Sequence, residues 1–74
     1  MKLPVTYPKD LIKIVKKLGF VEERQKGSHI TFVHTDEKVI TISFHSKKPI
    51  PPGLLNKMIK QDLKISREEF IKSK

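Results

Sequence analysis

Two short runs with strict alternation, His29–His34 and Val39–Phe44, do most to limit what this chain can fold into. Side chains in an extended strand point to opposite faces with period two. The first run therefore puts Ile30, Phe32 and His34 on one face and His29, Thr31 and Val33 on the other. The second puts Ile40, Ile42 and Phe44 against Val39, Thr41 and Ser43. Only Thr35-Asp36-Glu37-Lys38 lies between them, so the two strands must pair antiparallel. Their apolar faces belong to a core, and the face carrying His29, Thr31, Thr41, Ser43 and His45 is left open or for a partner.

The segment upstream supplies a third strand. Phe20–Gln25 is short and follows a helix stop, and Gly27-Ser28 meets the glycine-first requirement of a type II′ hairpin turn. Before it, Leu11, Ile12, Ile14, Val15 and Leu18 recur at helical spacing, with Lys9, Lys13, Lys16 and Lys17 largely on the other side. Pro8 suits the first turn of that helix, Asp10 complements its positive end, and Gly19 is placed to end it, which predicts a span of Pro8–Leu18. Beyond the strands, His45–Pro52 is too rich in proline to continue a sheet. A second helix then begins near Pro52 or Gly53 with Leu54, Leu55, Met58 and Ile59 as its buried stripe. Ser66 with Glu69 three residues on is a capping box for a short last helix carrying Phe70 and Ile71. The expectation is one α+β domain over residues 1–74, α-β-β-β-α with a short extra helix, in which helices cover one face of a three-stranded antiparallel sheet.

Composition narrows the partners. Sixteen Lys/Arg against eight Asp/Glu leave a net charge of +8 on 74 residues, which points to a polyanion. The cations run from Lys2 to Lys74 instead of forming a tail, and no apolar run approaches a membrane span. The start lacks the pattern of a secretory leader and cysteine is absent, so the expected setting is the cytoplasm. The absence of cysteine and the spacing of the three histidines argue against a metal centre, and no cofactor is expected.

His29 is the residue with a mechanism. A free imidazole has a pKa of about 6.5. At neutral pH it can take the proton of a ribose 2′-hydroxyl, freeing that oxygen to attack the neighbouring phosphorus. Gly27 would let a phosphate approach the backbone, and Lys26, Lys47 and Lys48 could neutralise charge building on it. By pattern alone, a surface histidine at a strand start fits as well. His45 shares the open face and is either an RNA-orienting or second proton-transfer group or a loop histidine bonded to backbone. His34, at a strand end on the core side, reads as structural. Ser28 and His29 are adjacent in a strand and so cannot form a hydroxyl–imidazole dyad; Ser28 belongs to the turn.

Several separated motifs carry a resemblance over almost the whole chain. They are Leu3-Pro4, Lys9-Asp10-Leu11-Ile12-Lys13, Lys17-Leu18-Gly19-Phe20, Lys26-Gly27-Ser28-His29 with Phe32, Thr41-Ile42 with His45, Ile50-Pro51, Gly53 leading to Leu55, Ile59-Lys60-Gln61, and Ile65–Phe70. In this order and spacing the sequence resembles the HicA family of toxin mRNA interferases. The resemblance implies a double-stranded-RNA-binding-domain-like fold and a metal-independent endoribonuclease that cleaves mRNA, with its catalytic histidine at His29. With that activity, Lys26, Gly27, Ser28, His45, Lys47 and Lys48, singled out above by charge, turn and face, are the candidate RNA-binding residues. The implied partner is a HicB-like antitoxin that blocks the site, the free toxin being a monomer that joins a hetero-oligomer with it. The alternative on the same fold is a non-catalytic RNA-binding module. The sequence departs from the family at Ser43, Leu54, Asn56 and Lys64, the last standing where a glycine usually ends the closing helix.

Overall fold

A computed structural model of the chain describes residues 3–35, 37–44 and 47–73. Its elements run α1 (Pro8–Lys17), β1 (Val21–Lys26), β2 (His29–Val33), β3 (Val39–Ser43), α2 (Pro52–Lys57) and α3 (Arg67–Lys72). The three strands form one antiparallel sheet in the order β1-β2-β3, and the arrangement is the α+β, double-stranded-RNA-binding-domain-like one.

The alternation decides the core. Ile30 pairs with Ile42 and Phe32 with Ile40, and all four side chains are buried. Over them pack Leu11, Ile14 and Val15 of α1, together with Leu55, Met58, Ile59, Leu63 and Phe70 from the closing helices. The opposite face shows the pairs His29–Ser43, Thr31–Thr41 and Val33–Val39. Across it the two threonine hydroxyls lie 3.4 Å apart.

The end of α1 is built by Gly19. Its φ of +99° opens the left-handed region, and the Phe20 N–H donates to the Val15 carbonyl at 2.9 Å while the Gly19 N–H donates to that of Lys16 at 3.2 Å. This is the paired bonding of a Schellman stop, with Phe20 and Val15 both in the core beneath it. The His34 ring packs on Phe20 with centroids 5.1 Å apart, which agrees with a structural role for this histidine.

Four details differ from the sequence reading. β1 is Val21–Lys26 and β3 ends at Ser43, each within a residue of expectation. A bulge between Glu22 and Arg24 puts Val21 opposite Val33, on the open face, where it is exposed. Past Lys57 the helix widens into a π-helical turn, Met58–Leu63, which carries Leu63 into the core. Leu54, expected in the buried stripe, is 51% exposed, because it is on the side of α2 that lines a cleft while Leu55 beside it takes the core position. The π turn ends at Lys64 in the left-handed conformation, φ 56° and ψ 44°, where a glycine would be unstrained. Asn56 also has a use: its side-chain carbonyl accepts from the Arg67 guanidinium at 3.2 Å, tying α2 to α3.

Candidate nucleic-acid interface and active site

The hairpin between β1 and β2 presents the central residue. Gly27 takes φ +60° and Ser28 stays out of the positive region, the pattern of a type II′ turn, so Lys26 and His29 face each other as the first pair of the ladder. The Gln25 side-chain amide donates to the Gly27 carbonyl at 3.3 Å, and the Phe44 N–H donates to the Ser28 carbonyl at 2.9 Å, extending the ladder past β3. The turn is thus held from both sides, and His29 leaves it exposed on the face away from the helices.

Register then fixes what surrounds the imidazole. Lys26 lies opposite it on β1 and Ser43 opposite it on β3; one step along are Arg24, Thr31 and Thr41. His29 lines two concavities. The shallower one, about 440 Å³, is bounded by Arg24, Lys26, Gly27 and Thr31. The larger, about 630 Å³, runs from Ser43 across the proline-rich connection to α2 and the π turn, bringing in Lys48, Leu54, Lys57, Gln61 and Asp62. Burial raises the Asp62 carboxyl above its ordinary value, an effect that the Lys57 ammonium opposes.

The residues singled out in the sequence are therefore divided. Lys26, Gly27 and Ser28 are at His29, and Lys48 shares its larger cleft. Lys47 lines a different concavity with Tyr7, Pro8, Lys9 and Phe44, apart from the cleft that Lys48 shares with His29. His45 lies outside the described residues. Arg24, Lys57, Gln61 and Asp62 were missed. Pairing arithmetic from the hairpin, two residues back from Lys26, would have found Arg24; the other three meet His29 only through tertiary packing.

Among the described residues no group of three His, Cys, Asp or Glu is arranged to hold a metal ion, and no helix is long and apolar enough to cross a membrane. The family model described as the HicA toxin of bacterial toxin-antitoxin matches residues 8–62, from the first residue of α1 to Asp62 in the π turn. A comparison with curated proteins found no match.

Proposed function

The chain belongs to the HicA toxin family of bacterial toxin-antitoxin systems, and from that premise we propose that it is an endoribonuclease that cleaves mRNA with His29 as its proton-transfer group. The observation that carries the reading is the position of this imidazole at the junction of two concavities, one bearing Arg24 and Lys26, the other Lys48 and Lys57. A strand crossing the junction would have cations on either side of the phosphate nearest His29.

The step follows from the groups present. The neutral imidazole accepts the proton of a 2′-hydroxyl; the oxygen attacks the adjacent phosphorus, and the bond to the 5′ oxygen breaks. The products are a 2′,3′-cyclic phosphate and a 5′-hydroxyl, the leaving oxygen taking a proton from His29 as an acid or from water. Lys26, paired with His29 across the ladder, is the partner for charge that grows on the phosphoryl oxygens, and Gly27 and Ser28 form the turn that presents the pair. The remaining cations of the face hold the RNA backbone without reading sequence. As a toxin the protein pairs with an antitoxin. We propose a HicB-like partner that covers His29 and silences the site, the free toxin being a cytoplasmic monomer.

Purified protein incubated with RNA in a chelator tests this. Cleavage that His29→Ala slows by about 10²-fold or more is the expected result, in line with the contribution of a positioned acid or base. An RNA that is bound but not cut by either form would leave a binding module in its place.

A further inference from the structure

The larger cleft beside His29 carries one carboxylate among its cations. Asp62 lines it, half-buried, in a protein of net charge +8. Its desolvation outweighs the attraction of the neighbouring Lys57, so the carboxyl sits there at a cost to the fold. Lys48 and Lys57 in the cleft suit a phosphate, whereas the Asp62 oxygens are hydrogen-bond acceptors and call for a donor group. The same cleft has an apolar part, Ile50, Pro51, the exposed Leu54 and Met58, besides the polar wall of Lys57, Gln61 and Asp62. An apolar surface with a hydrogen-bonding group in the same cleft fits an unpaired nucleobase, which lays its face on the one and offers its edge to the other. The volume, about 630 Å³, falls within the range of roughly 300–1,000 Å³ usual for small-ligand clefts.

We propose that this cleft seats one unpaired base of the RNA beside the phosphate presented to His29, and that Asp62 selects guanine by accepting its N1–H and its exocyclic N2 amine. The inference rests on the reading of the chain as acting on RNA. Guanine alone offers two adjacent donors to the two oxygens of a carboxylate. Adenine and cytosine each set one amine beside a ring acceptor, and uracil flanks its single N–H with two carbonyls that a carboxylate repels. Asp62 is thus a specificity-determining residue, separate from the proton transfer at His29.

The test uses short single-stranded RNAs that carry one guanine or, at the same place, inosine, which lacks only the N2 amine. Their binding to the His29→Ala protein, which cannot consume them, is read by fluorescence anisotropy. Guanine should bind about tenfold more tightly than inosine, within the range for a bidentate base contact, and the ratio should collapse to below about twofold when Asp62→Asn is added. Equal binding of the two RNAs, or a ratio that survives Asp62→Asn, overturns the proposal. The inosine arm needs no change at Asp62, so equal binding overturns the proposal even if Asp62→Asn folds poorly. Mapping the cuts made by the unmodified protein separates this inference from the functional one. Cutting without guanine bias sinks the base site and leaves the nuclease; a guanine-to-inosine ratio without any cutting does the reverse.

Discussion

Replacing Gly19 with alanine strikes two features of the α1 stop at once, and the structure sizes both. At φ +99° any side chain pays for left-handed backbone, about 1–2 kcal/mol. The new methyl would also stand 3.0 Å from His34 Nε2 and 3.3 Å from its Cδ2, tighter than most real contacts, so the ring must give by a few tenths of an ångström. The ring yields only at the expense of its packing on Phe20, with centroids 5.1 Å apart and planes tilted at 51°, and of its 3.5 Å contact with the Thr35 hydroxyl through Nδ1. Overpacking of this kind adds about 1 kcal/mol, for a total of about 2–3 kcal/mol. In a domain of this size that is a fall of roughly 8–24 °C in Tm, measured as thermal unfolding by circular dichroism. Gly27→Ala is the internal control, because its φ is also positive but nothing lies within 4 Å of the added Cβ. It should lose only the backbone share. In a His34→Ala background the cost of Gly19→Ala should drop by about 0.5–1 kcal/mol, the coupling expected of residues in contact. A Gly19→Ala protein that melts within about 2 °C of the parent refutes the reasoning, since even the backbone share predicts more.

Two further outcomes follow from the charged face and the cleft. Arg24→Gln and Lys26→Gln should each reduce the slope of log binding constant against log salt for single-stranded RNA by about 0.7, one phosphate apiece, whereas Lys47→Gln, in its separate concavity, should change it less. Asp62→Asn should stabilise the protein at neutral pH. A carboxyl whose folded-state pKa is raised favours the native state while protonated and loses that advantage as pH rises through the folded value, so the gain should vanish below the ordinary carboxylate range in urea melts taken across pH.

The sheet was legible because period two admits no ambiguity: a one-residue slip would have put Ile30, Phe32, Ile40 and Ile42 in water. The α1 stop was equally readable, since Gly19 before Phe20 is the residue pair a Schellman motif requires. Leu54 was misjudged because helical periodicity reports which residues are apolar, not where a neighbouring surface ends. The face of Val21 is set by a bulge that no single residue type announces. His29 could be picked out from its Gly-Ser turn and from family likeness, and its open-face neighbours followed from register. The second wall of its cleft, Lys57, Gln61 and Asp62, stands about thirty residues downstream in the sequence. It comes into view only when the π turn is packed against β3.

The central claim is that a 2′-hydroxyl, deprotonated by His29, attacks the neighbouring phosphorus. An RNA cut at a mapped position, remade with a single 2′-deoxy sugar on the 5′ side of that bond, tests it most directly. The account predicts that the substituted bond stays intact in a chelator while the unmodified RNA is cut to a 2′,3′-cyclic phosphate and a 5′-hydroxyl. Cleavage of the deoxy-substituted bond, or fragments bearing a 5′-phosphate, would contradict it.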